Sequence, residues 1–420
     1  MTSLQDRLDR LPAELINKIF SYFAPEELCL SIAPVCKKWH QMVYNTIVWQ
    51  PLYFNGNNIQ TEKVLQILGR TFCVQKLGLK KYEECWKFMF PIINCPFLRS
   101  LHLSWCSGIN WCVILPLRIH CPLLEELNLE GCKTIDYSAI YQIVQLKKLK
   151  KLNLSHCKLI KDNSIVLIAN ECSHLQELNI DEIEFIYNSS VLTLIEKRKS
   201  NLKKLYLDGW YLTDISYEAL EHCSNLTDLS VSYALHMLDH GLVAIKNLKF
   251  LQHLTIRNGR DLTKASLIKT FQGPNLQNLK RLDLHSCYYF NDEAVEEMTK
   301  CCPSLKDLTL DFCFEITDKG LHSIIFGCKY LEVLSLAGLR NITGVCFTHI
   351  PICLPKLVSL KLENCPRMDV QKELLNNIVN NKPDLQISTS TFGSIFLEKD
   401  SVPVICQFNP ECPLCEQKST

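Results

Sequence analysis

Residues 302–328 read CPSLKDLTLDFCFEITDKGLHSIIFGC. The first half is C-P-x-L-x-x-L-x-L-x-x-C, with Leu305, Leu308 and Leu310 as its apolar frame. Leu308 and Leu310 stand two apart, the period of a strand with one buried face. Thr317-Asp318 then reads as a helix N-cap. Leu321, Ile324, Ile325 and Cys328 follow at i, i+3, i+4 and i+7, a stripe along one side of a short helix. One strand and one helix cannot bury these faces by themselves, so the segment requires neighbours of its own kind.

Those neighbours are present. The same L-x-x-L-x-L frame starts at Val74, Leu98, Leu124, Leu149, Leu175, Leu202, Leu226, Leu251, Leu279, Leu305, Leu331 and Leu357, in steps of 24 to 28 residues. A frayed further copy sits at Leu385 and Ile387. A step of roughly 20–29 residues is that of a leucine-rich repeat, whose stacked strands line one side of the array and whose helices line the other.

The array resembles the cysteine-containing leucine-rich repeats, in which Cys or Asn stands three residues after the last leucine of the frame. Cys106, Cys132, Cys157, Cys287, Cys313 and Cys365 hold that slot. Tyr82, Ile183, Trp210, Ala234, Gly259 and Leu339 depart from it, and Trp210 is read there as a structural side chain. The resemblance covers about Val74 to Ser388.

The slot accounts for six of the 23 cysteines. Cys95, Cys121, Cys172, Cys223, Cys302 and Cys328, each three residues before a frame leucine, account for six more. Cysteine used as a small buried hydrophobe suits a reducing compartment. The start, MTSLQDRLDRLPAEL, has no basic region followed by an apolar run, so no secretory signal is expected. No apolar run approaches the roughly 18 residues of a membrane span. Net charge is +1 with 21% charged residues, which gives no global attraction to nucleic acid or anionic membrane. A cytoplasmic or nuclear location follows as the expectation.

Ahead of the array, residues 11–54 are LPAELINKIFSYFAPEELCLSIAPVCKKWHQMVYNTIVWQPLYF. Leu15, Ile16, Ile19, Phe20 and Phe23 make one helical face behind Pro12. Pro25 and Pro34 break the chain into three short helices, the third carrying Val35, Trp39, Met42 and Val43. So small a set buries little, and an apolar excess on it marks an interface. Read from the residues alone, it serves equally as an end cap for the repeats. It resembles an F-box, on Leu11-Pro12-x-Glu14-Leu15, Ile19-Phe20-Ser21-Tyr22-Phe23, Pro25-x-Glu27-Leu28, Val35-Cys36-Lys37-Lys38-Trp39-His40 and Trp49. The resemblance implies docking onto the Skp-type adaptor of a cullin–RING ubiquitin ligase. It makes Leu11, Pro12, Leu15, Ile19, Phe20, Leu28, Val35, Cys36 and Trp39 the adaptor-facing and internal apolar surface. Pro34 stands where that family more often has a polar residue.

The expected fold is therefore α/β, a three-helix F-box followed by a leucine-rich-repeat horseshoe solenoid with parallel strands concave and helices convex. Its divisions are an extension at 1–10, the F-box at 11–54, a helical spacer at 55–73, about twelve repeats at 74–388 and a tail at 389–420. Alternation along the strands aims Trp105, His156, Tyr206, Tyr233, Arg257, His285 and Phe312 out of the concave sheet. These residue types are common at interface hot spots, and the pooled face reads as the surface for a protein substrate.

In the tail, Thr389 to Phe396 has the character of one more strand or of a cover for the last repeat. Cys406, Cys412 and Cys415 form C-x5-C-x2-C, but a structural zinc site usually takes four ligands and no fourth lies nearby. The chain has no G-x-S-x-G, no H-E-x-x-H, no phosphate-cradling loop and no dinucleotide fingerprint. No cofactor, metal or catalytic residue is expected. The functional expectation is a non-catalytic substrate receptor that reaches cullin and RING subunits through its adaptor and marks a client for proteasomal degradation. Two rivals stay open: a leucine-rich scaffold or inhibitor whose first helices only cap it, and a redox site at the tail thiols.

Overall fold

Buried leucines set the strands. In the computed structural model, which describes residues 11–23, 27–43, 51–69, 74–367, 372–389 and 393–395, a frame such as Leu124, Leu127 and Leu129 is at most 1% exposed. Burying each such side chain contributes about 1.5–3 kcal/mol. The chain divides between Thr270 and Phe271 into two compact units.

The first unit opens with α1 (Ala13–Phe20), one π-helical turn at Leu28–Ile32 and α2 (Lys37–Val43). Ile16 and Phe20 on α1 and Trp39, Met42 and Val43 on α2 are buried. The Phe20 ring meets Trp39 edge-on at 5.4 Å. These pieces match the three helices expected from the prolines.

A strand follows sooner than the sequence suggests. β1 (Leu52–Asn55) pairs in parallel with β2 (Lys76–Lys80), and α3 (Thr61–Leu68) lies between them in the chain. β1 runs across residue 54, where the F-box was expected to give way to a spacer. Two inward residues, Leu52 and Phe54, are enough to seat it. Gly78 makes room for the ring of Tyr53, since a Cβ there would come within 2.2 Å of it.

The remaining strands of this unit are β3 (Ser100–His102), β4 (Glu126–Asn128), β5 (Lys151–Asn153), β6 (Glu177–Ile180), β7 (Lys204–Asp208), β8 (Asp228–Ser232) and β9 (His253–Ile256). Each pairs in parallel with the one before it. The register aligns Leu77, Leu101, Leu127, Leu152, Leu178, Leu205, Leu229 and Leu254 in one column. Parallel pairing needs a crossover connection, and the helical half of each repeat supplies it.

In the second unit β10 (Arg281–Asp283), β11 (Asp307–Thr309), β12 (Val333–Ser335), β13 (Ser359–Lys361) and β14 (Gln386–Thr389) repeat the pattern. Leu282, Leu308, Leu334, Leu360 and Ile387 form its column. Thr317 caps the helix Asp318–Gly327, which buries Leu321, Ile324 and Ile325 as its spacing predicts. β15 (Gly393–Ile395) then adds antiparallel to β14, the extra strand expected of that stretch. Cys406, Cys412 and Cys415 lie outside the described residues.

A regularity not read from the sequence is the turn after most of the strands. There the residue two places beyond the last frame position adopts positive φ, 59° at Trp105, His156 and Phe312 and 52° at Tyr233, with Gly209 after β7 an exception. Bulky L-residues seldom adopt that conformation. Glycine holds the same place at Gly131 and Gly338, with φ of 69° and 75°. These glycines serve the aromatic one repeat earlier. A Cβ on Gly131 would come within 2.4 Å of the Trp105 ring, and one on Gly338 within 2.4 Å of Phe312.

Candidate functional site

Helix α1 has an apolar outer face as well as an inner one. Leu15 is 49% exposed, Ile19 38% and Tyr22 80%, with Phe23 exposed beside them. Leu15 and Ile19 fall at i and i+4 on one side of the helix, and Tyr22 follows in the turn after it. Pro12 and Val35 are also exposed, and Leu11 and Cys36 are half-buried. The nine residues expected at the adaptor surface therefore divide. Leu11, Pro12, Leu15, Ile19, Val35 and Cys36 reach solvent. Phe20, Leu28 and Trp39 are 3%, 2% and 9% exposed and lie in the interior, where they hold α1 against its neighbours. Trp49 lies outside the described residues.

The open face of the sheet is stitched by charge pairs across neighbouring strands. Lys150 Nζ meets Glu125 Oε2 at 2.7 Å, and Lys151 meets Glu177 at 3.1 Å. Glu126 accepts from His102 at 3.1 Å and from the Ser100 hydroxyl at 3.0 Å. The His102 bond is the main reason its carboxyl is pushed down to about 2.

Of the seven aromatic and basic residues expected there, the structure brings together two pairs. The Trp105 ring lies 5.3 Å from His156 while its Nε1 donates to Glu130 Oε1 at 3.0 Å. His285 meets Phe312 edge-on at 5.2 Å. Tyr206 lines a shallow polar depression of about 230 Å³ with Glu126, Lys151 and Glu177. Arg257 is exposed at the end of β9, its backbone N–H donating to Val231 at 3.0 Å.

Tyr233 belongs to a different hollow, and with it comes a correction. Trp210, read as structural from its slot, is 47% exposed and meets Tyr233 in an edge-on contact at 5.6 Å. After β7 the buried residue that leads into the helix, Leu212, comes five residues after Leu207, whereas its counterpart Ile160 follows Leu154 by six. Gly209 and the wholly buried Tyr217 fill the space inside instead: a Cβ on Gly209 would lie 2.7 Å from the Tyr217 hydroxyl. Trp210 is thereby turned outward.

The hollow measures about 340 Å³ and is lined by Glu182, Glu184, Phe185, Asp208, Trp210, Tyr211 and Tyr233. Phe185 stacks on Tyr211 at 5.9 Å, and Tyr187 approaches the same ring at 5.2 Å. Asp208 accepts the backbone N–H of Trp210 at 2.8 Å. Burial, with the charges of Asp181, Glu182 and Glu184, pushes its carboxyl up to about 6. The charge of Glu182 likewise raises the Tyr233 hydroxyl. The signal for this hollow was in the sequence as E-I-E-F-I-Y at 182–187 and D-G-W-Y at 208–211, acids interleaved with rings in successive repeats.

Asp214, Glu218 and His240 also bring ligand atoms within 4.8 Å of one another. Asp214 Oδ1, however, already accepts the backbone N–H of Leu238 at 2.7 Å, a helix-to-turn cap that recurs along the array. Among the described residues no helix is long and apolar enough to cross a membrane.

Comparison with known proteins agrees with both halves of this description. Residues 8–55 match the F-box-like family. Residues 238–388 match the leucine-rich repeats of an FBD-associated F-box protein, and residues 145–169 a leucine-rich repeat. F-box/LRR-repeat protein 4 of Bos taurus is 28% identical over 214 residues, 48% of this chain and 34% of that protein. The chain thus matches about a third of that relative's length. Its fold is similar to a chain in the crystal structure of the yeast Rad7 and Elc1 complex, with a TM-score of 0.61 and 16% identity over 91% of this chain and 90% of that one.

Proposed function

We propose that this chain, an F-box/LRR protein by its F-box-like domain and its leucine-rich repeats, is the substrate-recognition subunit of a cullin–RING ubiquitin ligase. The observation that carries the reading is the outer stripe Leu15 and Ile19, continued by Tyr22 in the turn that follows, large apolar side chains left in solvent at a helix whose inner face is already satisfied. An end cap would turn that stripe inward; a docking helix leaves it for a partner. The Skp-type adaptor covers the stripe, Val35 and Pro12. The open faces of the repeats hold the protein client, through Trp105, His156, Tyr206, Tyr233 and Arg257 in the first unit and through His285 and Phe312 in the second. The chain itself performs no bond chemistry. It raises the effective concentration of client lysines near the ubiquitin carrier that the ligase core supplies.

The test is co-purification of the full chain with a recombinant Skp-type adaptor and cullin. Leu15→Arg with Ile19→Arg changes only exposed positions, so the fold survives while adaptor binding drops by a factor of about 100 or more. Adaptor binding unchanged in that variant rejects the assignment and leaves a leucine-rich scaffold capped by its first helices.

A further inference from the structure

We propose that the hollow between the turns at 181–187 and 208–211 is a receptor for one cationic side chain of an extended client segment: a lysine ammonium, its methylated form or an arginine guanidinium. The inference deepens the receptor reading, because it names the chemistry of what the repeats recognise.

Three features of the hollow point to a cation. Its walls are the rings of Phe185, Trp210, Tyr211 and Tyr233. The negative faces of aromatic rings attract a cation, more strongly as water is excluded. Its charges are all of one sign: Glu182, Glu184 and Asp208 line it, and no lysine or arginine does. Among the described residues neither Glu182 nor Glu184 makes an ion pair with a lysine or arginine. Elsewhere on the same face the acids Glu125, Glu126, Glu177 and Asp228 are all matched by basic groups. Among the described residues Glu182 and Glu184, beside the rings, are not so matched.

The hollow is also built rather than incidental. Phe185 and Glu182 are both held at positive φ, 63° and 55°. The shortened turn over Gly209 and Tyr217 stands Trp210 outward. The Tyr217 hydroxyl is buried with no hydrogen-bond partner among the described residues, so the turn is kept at the expense of a polar group. At about 340 Å³ the space is at the lower end of ligand pockets and suits one long side chain. An apolar occupant would strip water from Asp208 and the two glutamates without replacing it. A phosphorylated or acidic segment would be repelled.

The test is fluorescence anisotropy of the full chain against labelled Gly-Ser pentapeptides with lysine, trimethyl-lysine, arginine or norleucine at the centre. At least one cationic peptide binds at least about tenfold more tightly than the norleucine peptide, and added salt narrows the gap. Trp210→Ala, and separately Glu182→Gln with Glu184→Gln, abolish the preference while the thermal melt is retained. The rank among the three cations tells a methyl-ammonium cage from a guanidinium site. Equal binding of norleucine and all cations, no binding of any peptide, or a preference that survives both variants overturns the proposal. Adaptor co-purification is scored on the same Trp210→Ala protein. Its retention with the preference lost separates this site from the docking helix, and failure of wild type to bind adaptor would sink the ligase reading while the peptide result stood.

Discussion

The thiol of Cys313 donates to the carbonyl oxygen of Leu284, one repeat back, with Sγ 3.2 Å from the oxygen. Cys106 reaches Leu79, Cys132 reaches Leu103, Cys157 reaches Leu129 and Cys365 reaches Leu336 in the same way, at 3.0 to 3.4 Å. The slot asks for a small apolar group that carries one donor, and a thiol is both. Burial, the main cause, holds the Cys313 thiol well above its ordinary range and pushes Cys328 up to about 12. The thiolate is the reactive form. Iodoacetamide at about pH 8, read by peptide mapping, should therefore modify the exposed Cys112 well before Cys313 and Cys328, which stay intact until denaturant is added. Cys313 reacting as fast as Cys112 in the folded protein would contradict a buried thiol held on the Leu284 carbonyl.

A second ladder runs along the helix starts. Asp292 Oδ1 accepts the backbone N–H groups of Thr317 at 2.8 Å and Gly320 at 3.0 Å, while Oδ2 accepts the Thr317 hydroxyl at 2.6 Å. Asp162, Asp214, Asp239 and Asp318 cap the following repeat likewise. One carboxylate thus satisfies donors at the start of the next helix that would otherwise be orphaned. Asp292→Ala should lower unfolding stability by about 1–3 kcal/mol, read as a fall in the urea midpoint with the slope unchanged. Asp292→Asn, which keeps an acceptor for the two N–H groups, should lose less. A midpoint equal to wild type in the alanine variant would show that water replaces the cap.

What the sequence made legible was whatever repeats within one coil. The Leu305, Leu308, Leu310 frame and the Thr317 cap are set by neighbours three or four residues away, and their periodicity survives in any single copy. What it hid depends on the next coil. Gly131 is left-handed under the Trp105 ring, a relation across 26 residues that no local pattern encodes. β1 carries only Leu52 and Phe54 of the frame, so it fell below the pattern. The boundary at Thr270 lies in the longest step, Leu251 to Leu279, which also holds Gly273 at φ 96° and Pro274. Trp210 was misread because the slot was counted from Leu207 without allowing for a shortened turn. At the docking helix the residue types were legible, but which of Leu15, Ile16, Ile19 and Phe20 faced out was fixed by α2 and Trp39.

Asp208 makes the stability of the first unit depend on pH in a direction opposite to most carboxylates. Its carboxyl is pushed up to about 6, chiefly by burial and next by Asp181, Glu182 and Glu184, against about 3.9 in an unfolded chain. The folded state therefore binds the proton more tightly than the unfolded state. Wherever the folded state holds more protons, stability falls as pH rises. The cost is fully present above about pH 6 and is relieved as pH drops from 6 toward 4. Asp208→Asn keeps an oxygen to accept the Trp210 N–H and removes the charge. It should raise stability at pH 7.5 by on the order of 1–3 kcal/mol, with the gain shrinking to nothing near pH 4. Thermal melts of both proteins across that range measure it. A gain that stays constant from pH 7.5 to 4 would mean that the asparagine helps by packing and that the buried charge costs the fold nothing.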